Sequence, residues 1–428
     1  MLNAALSAYR DAIASRFSGR EDLKKLFCNC YGSTLESTVR RNGDSVFIVT
    51  GDIPAMWLRD SSAQVRHYLP AAAGDAETAD LIAAVLRRHW TYIQLDPYAN
   101  SFNEEPNGNG HRDDQTVQNP WVWERKYEVD SLCYPLELAW LYYTATGRSD
   151  VFGPDYLRAV RCILDVWRTE QYHENSPYTF RRENCPPSDT LAENGRGTPV
   201  AFTGMTWSGF RPSDDACRYG YHIPGNMFAV MALRHTAEIL QTVSGQDALA
   251  REALLLADEI DAGIEAYGIF RHPEFGPMYV YETDGLGHVL LMDDANVPSL
   301  LSIPYLGYRP ASDPVYQNTR RFVLSRHNPY YYSGPFARGI GSPHTPENRF
   351  WPIALAVQGL TSTSRAEMDQ IAAMLVSTHA GTWHMHESID VCDARIFTRP
   401  WFAWADSICA EFLVRYSDFM ENPIGTAE

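Results

Sequence analysis

Residues 223–267 read IPGNMFAVMALRHTAEILQTVSGQDALAREALLLADEIDAGIEAY, two helical patterns separated by Ser244-Gly245. In the second half, apolar residues recur at steps of three and four: Ala248, Leu249, Ala253, Leu256, Ala257, Ile260 and Ile264. This periodicity predicts an amphipathic helix from Gln246 to Tyr267. The short polar break before it predicts a tight turn, so that segments 223–243 and 246–266 form a helical hairpin.

Consecutive helical pairs recur along the whole chain. A first helix at about 2–18 can pair with a last one at about 398–418, and the other predicted pairs are 60–73 with 75–95, 124–147 with 155–174, 297–306 with 312–325, and 348–363 with 364–380. Asp155, Asp313 and Ser364 suit N-caps, and Gly147 suits a C-terminal stop. Helices in successive hairpins, without alternating strands, predict an all-α fold, an (α/α)6 barrel with inner and outer rings.

Long loops interrupt the predicted pairs at 97–123, 175–222, 268–296, 326–347 and 381–397, and the third of them contains a β-hairpin signal around Asp284-Gly285. Loops of this length in a compact domain usually carry function. No charge run or Ser/Gly linker divides the sequence. We therefore expect residues 1–428 to form a single catalytic domain with long functional loops and minor β-hairpins.

Composition limits the partners of the chain. Its 428 residues have a formal net charge of −17, which disfavours nucleic acid and anionic membranes. No run approaches a membrane span, and the N-terminus has no signal-peptide pattern. The eight cysteines are scattered without a CxxC pair, as expected of reduced thiols. The sequence thus predicts a cytoplasmic protein with no obligate protein partner.

A polar, aromatic segment at residues 50–62, TGDIPAMWLRDSS, follows a short strand signal. Trp57, Arg59 and Asp60 are expected on a short turn, where Asp60 or Ser61 can cap the next helix. A guanidinium beside a carboxylate and a flat indole suit a hydroxylated ring with polar edges and C–H faces. The alternative is a buried Arg–Asp cap beside a core tryptophan.

Acidic residues cluster in the later loops. Asp214 and Asp215 follow Arg211, Glu387 lies beside His384 and His386, and a further acidic pair is Asp293-Asp294. Two carboxylates are the minimum for inverting glycoside hydrolysis, one protonating the leaving oxygen and one activating water. Each acidic pair could instead be a helix N-cap. A metal site at His384-x-His386 with Asp390 and Asp393 matches no strong zinc spacing.

Four strings carry a resemblance to a known family: TGDIPAMWLRDSS at 50–62, GFRPSDD at 209–215, MDDANVPS at 292–299 and HES at 386–388. In order and over almost the whole chain, they resemble glycoside hydrolase family 125, the inverting exo-α-1,6-mannosidases. The resemblance implies an (α/α)6 barrel, no metal or other cofactor, and release of terminal mannose from α-1,6-linked oligosaccharides or N-glycan fragments.

The same resemblance assigns residue roles. The general acid would be Asp214 or its neighbour Asp215, of which Asp214 is favoured, and the general base would be Glu387. The sugar pocket would be formed by Trp57, Arg59, Asp60, Arg211, Asp294, Asn296 and His386.

Two other functions stay open from the residues alone. Helical toroids also host sugar epimerases and isomerases, in which the His384 and His386 pair could move protons beside a carbonyl carbon. The third hypothesis is a glycan-binding protein without catalytic activity. An α-mannoside oligosaccharide is the partner that the leading hypothesis requires.

Overall fold

The computed structural model describes residues 1–43 and 45–421 of the chain. Its helices are α1 Ala4–Arg16, α2 Glu21–Ser33, α3 Leu58–Arg66, α4 Leu69–Ala72, α5 Ala76–Leu95, α6 Val129–Thr146, α7 Pro154–Glu170, α8 Ala192–Gly195, α9 Ile223–Thr242, α10 Asp247–Tyr267, α11 Pro314–Val323, α12 Pro352–Leu360, α13 Arg365–Ser377 and α14 Ala403–Glu421.

Short strands lie in the connections between the helices. They are β1 Val39–Asn42, β2 Ser45–Ile48, β3 Met56–Trp57, β4 Ser101–Phe102, β5 Val122–Glu124, β6 Tyr221–His222, β7 Ile269–His272, β8 Gly276–Tyr279, β9 Glu282–Thr283, β10 Val289–Leu290, β11 Tyr331–Ser333, β12 Arg338–Ile340, β13 Arg349–Phe350, β14 Ser388–Asp390 and β15 Phe397–Thr398. They form antiparallel sheets of two or three strands, and the predicted hairpin around Asp284 is present as β9 and β10.

The hairpin of α9 and α10 is the one predicted from residues 223–267. Gly245 adopts a left-handed φ of 62°, and the N–H of Gln246 donates to Leu240 across the turn. The buried residues of α10 repeat at helical spacing on one face, whereas α9 is buried almost all round. A helix buried on every side belongs to the centre of a fold. Helix α9 is therefore an inner element and α10 an outer one.

The same distinction applies around the molecule. The inner helices α3, α6 and α9 pack in succession, and α14 closes the ring by packing on both α12 and α3. Outside them lie α5, α7, α10, α13 and α2, each packed on an inner partner or an outer neighbour, while α11 packs on the β7–β8 hairpin. The predicted (α/α)6 barrel is confirmed. The main outer partner of α14 is α2, although α14 also contacts the first helix as predicted.

The predicted helix at 297–306 is wrong, because this inner position is filled by a series of turns. The carboxylate of Asp293 accepts the backbone N–H groups of Leu300 and Leu301, at 2.8 and 3.0 Å. The N–H groups of Ser299 and Ser302 bond to each other's hydroxyl oxygens. Side-chain oxygens thus accept hydrogen bonds from the backbone N–H groups that would donate to carbonyl oxygens in a helix.

Other local predictions had mixed outcomes. Asp313 and Ser364 cap α11 and α13, and Gly147 ends α6 with a left-handed φ of 67°. Asp155 lies in the first turn of α7, whose N-cap is Gly153, so its predicted capping role is wrong. Helix α2 was not predicted at all.

Two chemical features concern the chain as a whole. All eight cysteines are free thiols. Within residues 1–43 and 45–421, the structure has no helix of the length and apolarity that crossing a bilayer requires.

Candidate active site

The N-terminal ends of four inner helices converge on one pocket. The pocket lining includes Trp57 directly before α3, Trp351 before α12 and Phe402 before α14. Glu128, directly before α6, lies behind the lining and bonds to the lining residue Arg59. Helix N-termini carry unpaired N–H groups and a partial positive charge, so this end of the barrel favours anionic side chains. Several buried carboxylates of the chain lie at this end of the barrel.

The pocket is a concave space of about 360 Å³, part of it open to solvent, between these helix ends and the loops around them. It is lined by Thr50, Ile53, Trp57, Arg59, Asp60, Pro212, Ser213, Asp214, Asn296, His344, Trp351, Glu387, Arg399 and Phe402. Aromatic faces, a guanidinium and carboxylates in one concave space are the groups that bind a sugar ring.

A tight turn presents Asp214 to the pocket. The N–H of Arg211 donates to the carbonyl of Asp215 at 2.8 Å, and the N–H of Asp214 donates to the carbonyl of Arg211 at 2.9 Å. Asp214 has a left-handed φ of 65°, a conformation that costs a non-glycine residue about 1–2 kcal/mol. This backbone conformation directs the Asp214 side chain into the pocket. Its neighbour Asp215 does not line the pocket and lies 3.1 Å from His344 Nδ1.

Glu387 lines the same pocket from a different element. It directly precedes β14, and its N–H donates to the carbonyl of Thr398 at 3.3 Å. Its Oε1 lies 3.5 Å from Arg399 Nη1. Arg399 is itself held by Asp52, which accepts from its Nε at 2.9 Å. The segment at residues 50–62 thus anchors the arginine beside Glu387.

Arg59 is the centre of the buried charge cluster. Its Nη1 donates to Asp60 Oδ2 at 2.8 Å, and its Nε donates to Asp130 Oδ2 at 3.2 Å. Its Nη2 donates to Glu128 Oε2 and to Asp214 Oδ1, both at 3.2 Å. One guanidinium therefore orients four carboxylates, a task that its rigid fork of donors allows.

The carboxylates of this cluster have separated pKa values. Burial raises the pKa of Asp60, and it raises the pKa of Asp130 to about 7. Burial also acts to raise the pKa of Asp214, but the charge of Arg59, the hydrogen bond with Glu128 and the charge of Lys126 outweigh it and lower that pKa. Carboxylates with divergent pKa values in a pocket are a mark of acid–base sites.

Six of the ten residues predicted for the site line the pocket: Trp57, Arg59, Asp60, Asp214, Asn296 and Glu387. Two predictions about the segment at 57–61 are wrong. Arg59 and Asp60 lie in the first turn of α3 rather than on a separate turn, and neither Asp60 nor Ser61 is its cap, since Trp57 occupies the N-cap position.

The other predicted pocket residues lie behind the lining. Arg211 Nε donates to Glu282 Oε1 at 2.6 Å, and Asp294 accepts from the Asn296 side chain at 3.0 Å. The ring of His386 stacks on Phe397 with centroids 3.8 Å apart. None of these three side chains lines the pocket, and each contacts other protein groups behind it.

The His384 and His386 pair does not form a metal or proton-transfer site at the pocket. His384 Nδ1 lies 2.8 Å from Asp406 Oδ2, and neither histidine lines the pocket. Within the described part of the chain, no group of three or more His, Cys, Asp or Glu side chains is placed to hold a metal ion.

Several pocket residues were missed by sequence reasoning. His344, Trp351 and Arg399 lie in loops for which no motif was recognised, and each reaches the site from a separate element. Glu128 had one signal, since it stands two residues before Asp130 at the start of a predicted helix. An acidic pair at a helix start was read elsewhere in the chain as a possible cap.

Helix ends, aromatic walls and paired carboxylates in a helical toroid together define a carbohydrate-processing class of enzyme. Residues 20–414 match the family model described as metal-independent α-mannosidase, glycoside hydrolase family 125. The chain belongs to this family.

Two relatives are similar over nearly the whole chain. The meiotically up-regulated gene 157 protein of Schizosaccharomyces pombe is 41% identical, with 92% of this chain and 82% of the yeast protein covered. A metal-independent α-mannosidase of Streptococcus pneumoniae, solved as a non-productive substrate complex with α-1,6-mannobiose, is 46% identical with a TM-score of 0.96. That similarity covers 97% of this chain and 99% of the streptococcal one.

More distant structures share the fold alone. A bacterial glucoamylase solved with acarbose has 13% identity and a TM-score of 0.54, covering 85% of this chain and 49% of its own. The glucoamylase of Saccharomycopsis fibuligera has 11% identity and the same TM-score, covering 97% of this chain and 96% of its own. Both support the helical toroid as the architecture.

Proposed function

We propose that this α-mannosidase family member is an exo-acting enzyme that hydrolyses terminal α-1,6-linked mannose with inversion. The observation that carries the proposal is that Asp214 and Glu387 line one pocket from two different elements, the turn at 211–215 and the residue before β14. An inverting enzyme needs one carboxyl group on each side of the sugar, with room for a water molecule beside the base.

In this mechanism Asp214 is the general acid and Glu387 the general base. Asp214 gives its proton to the glycosidic oxygen as the bond from that oxygen to C1 breaks. Glu387 takes a proton from water, whose oxygen bonds to C1 from the opposite face. The leaving sugar departs as an alcohol, and the mannose product has the β configuration.

The choice of Asp214 over Asp215 is supported by geometry. Asp214 lines the pocket, whereas the Asp215 carboxylate is paired with His344. The acid must reach the glycosidic oxygen within hydrogen-bond distance. A residue turned away from the pocket cannot do so without rebuilding the turn that carries it.

Terminal mannose recognition is assigned to the groups at the floor and walls. Trp57 supplies an apolar face, and Asp60 and Asn296 supply polar atoms held by buried partners, Arg59 and Asp294. Sites that are built to bond a buried hydroxyl reject ligands that lack it. Arg211 and His386 are proposed to hold the pocket walls rather than touch the sugar.

The α-1,6 linkage is supported by the streptococcal relative, which was solved with α-1,6-mannobiose at 46% identity to this chain. The test is a panel of α-1,2-, α-1,3- and α-1,6-mannobiose with mannose release measured by chromatography. We expect the α-1,6 isomer to be cleaved at least about tenfold faster in kcat/KM, a difference of about 1.4 kcal/mol. Preference for another isomer would contradict the linkage assignment, and the Glu387→Gln protein controls for contaminating glycosidases.

The two alternative functions make different predictions. An epimerase would exchange a carbon-bound hydrogen of free mannose with deuterated water, and the histidine pair that suggested it lies outside the pocket lining. A glycan-binding protein would bind mannobiose and leave it intact after long incubation. Mannose release without deuterium incorporation distinguishes the hydrolase from both.

A further inference from the structure

Glu128 and the proposed acid Asp214 share the same hydrogen-bond donors. Arg59 Nη2 lies 3.3 Å from Glu128 Oε1 and 3.2 Å from Asp214 Oδ1. Asn100 Nδ2 lies 3.3 Å from the same Glu128 oxygen and 3.1 Å from the same Asp214 oxygen. The two carboxyl groups therefore lie next to each other around the same two donors.

The two partners differ in their access to water. The Glu128 side chain is 0% exposed, and its second oxygen accepts from Ser131 Oγ at 2.7 Å. The Asp214 side chain is 26% exposed and lines the pocket. A proton on Glu128 is therefore sheltered from solvent, while a proton on Asp214 faces the substrate.

The surrounding charge favours a bound proton. The ionisable groups facing the pair are Arg59 and Asp60 from α3, Asp130 from α6, Lys126 from the segment before α6, and His344 from the loop before β13. Four carboxylates contact the single guanidinium of Arg59. Even with Lys126 and His344 nearby, ionising all four would place like charges together in a buried site, which favours retention of a proton on one carboxyl group.

We propose that Glu128 and Asp214 share one proton, and that Glu128 acts as a positioning residue that supplies it to Asp214 for delivery to the leaving group. The inference rests on the proposed function, because it needs Asp214 as the general acid. It adds a second carboxyl group to the acid side of the reaction, one that touches no substrate.

The proton balance is simple. In the free enzyme the proton lies on Glu128 and is donated in a hydrogen bond to ionised Asp214. When the sugar displaces water from the pocket, the proton moves to Asp214 and then to the glycosidic oxygen as the C1–O bond breaks. Both carboxyl groups are then ionised beside Arg59, and the pair regains one proton from water through the exposed Asp214.

The pKa shifts agree with this resting state. Burial raises the pKa of Glu128 well above its usual value, and the neighbouring charge of Asp214 adds to the effect, while Arg59 opposes it. The pKa of Asp214 is lowered despite its burial, chiefly by Arg59. Two interacting carboxyl groups titrate as a pair, so the macroscopic values belong to both.

The test is Glu128→Gln, assayed on α-1,6-mannobiose and on 2,4-dinitrophenyl α-mannoside. Glutamine has the same shape and can still donate a hydrogen bond to Asp214, but it has no proton to transfer. We expect kcat/KM on the disaccharide to fall about 100-fold, the low end of a general-acid contribution. The aryl mannoside needs no proton on its leaving phenolate, so its rate should stay within about threefold of wild type.

A pH profile gives a second readout. The basic limb of kcat/KM on the disaccharide should move to lower pH in Glu128→Gln, because the only remaining proton is that of Asp214, whose pKa is lowered by Arg59 and Lys126. Glu170→Gln is the matched control: Glu170 is equally buried and accepts from Tyr98 and His173 outside the pocket lining. It should leave the ratio of the two rates unchanged.

The outcomes separate the two proposals. Equal losses on both substrates would show that Glu128 is only structural, and an unchanged disaccharide rate would show that its proton is not used. Either result overturns the shared proton while leaving the proposed function intact. If wild-type protein released no mannose from the disaccharide, the proposed function itself would fail, and the shared proton with it.

Discussion

Replacing Arg59 with lysine tests the buried cluster most sharply. Lysine keeps the positive charge but replaces the planar fork by a single ammonium group. The fork now bonds Asp60, Asp130, Glu128 and Asp214 at 2.8–3.2 Å. An ammonium at one point cannot keep all four carboxylates in place.

The size of the effect follows from these contacts. A hydrogen bond to a charged group contributes about 1.5–3 kcal/mol, and we expect Arg59→Lys to lose two of them while part of the lost energy is regained through the retained charge. A net loss of about 2–4 kcal/mol corresponds to a roughly 30-fold to 900-fold fall in kcat/KM. The orientation of Asp214 is the part most affected, because a turn with left-handed backbone holds it against Arg59.

The assay is kcat/KM on α-1,6-mannobiose together with thermal denaturation followed by circular dichroism. Arg161→Lys is the matched control, since Arg161 pairs with Glu252 on the exposed surface and should tolerate lysine within about 0.5 kcal/mol. A folded Arg59→Lys protein with kcat/KM within about threefold of wild type would refute the argument that the guanidinium fork positions the carboxylates.

Four further substitutions have defined outcomes. In steady-state kinetics, the kcat/KM of Asp214→Ala should fall about 10²-fold or more on mannobiose, while most of the rate on a dinitrophenyl mannoside is kept. The kcat/KM of Glu387→Gln should fall about 10³-fold on both substrates. Burial acts to lower the pKa of His344, but its carboxylate neighbours outweigh this effect and raise the pKa to about 9. The stability that wild type gains over His344→Asn should therefore be fully present below about pH 6 and be lost as pH rises through about 9, measured as Tm against pH. Gly51→Ala places a Cβ 2.3 Å from the Trp401 carbonyl oxygen at a φ of 142°, so it should cost about 2 kcal/mol or more in denaturant unfolding and reduce activity.

Three outcomes would contradict these predictions. If Asp215→Ala rather than Asp214→Ala lost its rate on mannobiose but kept its rate on the dinitrophenyl mannoside, the general acid would be Asp215. A Tm difference for His344→Asn that is the same at pH 6 and pH 10 would deny the raised pKa. Gly74→Ala, where an added Cβ meets nothing within 4 Å, should be nearly neutral, and an equal loss at both glycines would remove the steric explanation.

The helical hairpins could be predicted because their signals are local. The apolar spacing of α10 and the caps Asp313 and Ser364 act within one or two turns. Helix α2 also had a local signal in Leu23, Leu26 and Phe27, which went unrecognised beside the following strand. The turns at 297–306 could not be predicted, because their N–H groups are taken by Asp293, whose reach across the loop depends on the tertiary fold.

The pocket was predicted only where a motif ran through it. Asp214 and Glu387 lie in recognised strings, but Arg59 meets Asp214 across 155 residues of sequence, and no local pattern encodes that distance. His344 and Arg399 reach the pocket from loops without a recognised motif. Long-range contacts of this kind depend on closure of the helical ring.

The most direct test of the central claim is the anomeric configuration of the first product, observed by proton NMR during hydrolysis of α-1,6-mannobiose. Attack by water from the side of Glu387, with Asp214 protonating the opposite side, predicts β-mannose first and α-mannose later by mutarotation. Initial release of α-mannose would require a covalent, retaining route and would contradict the roles assigned to both carboxylates.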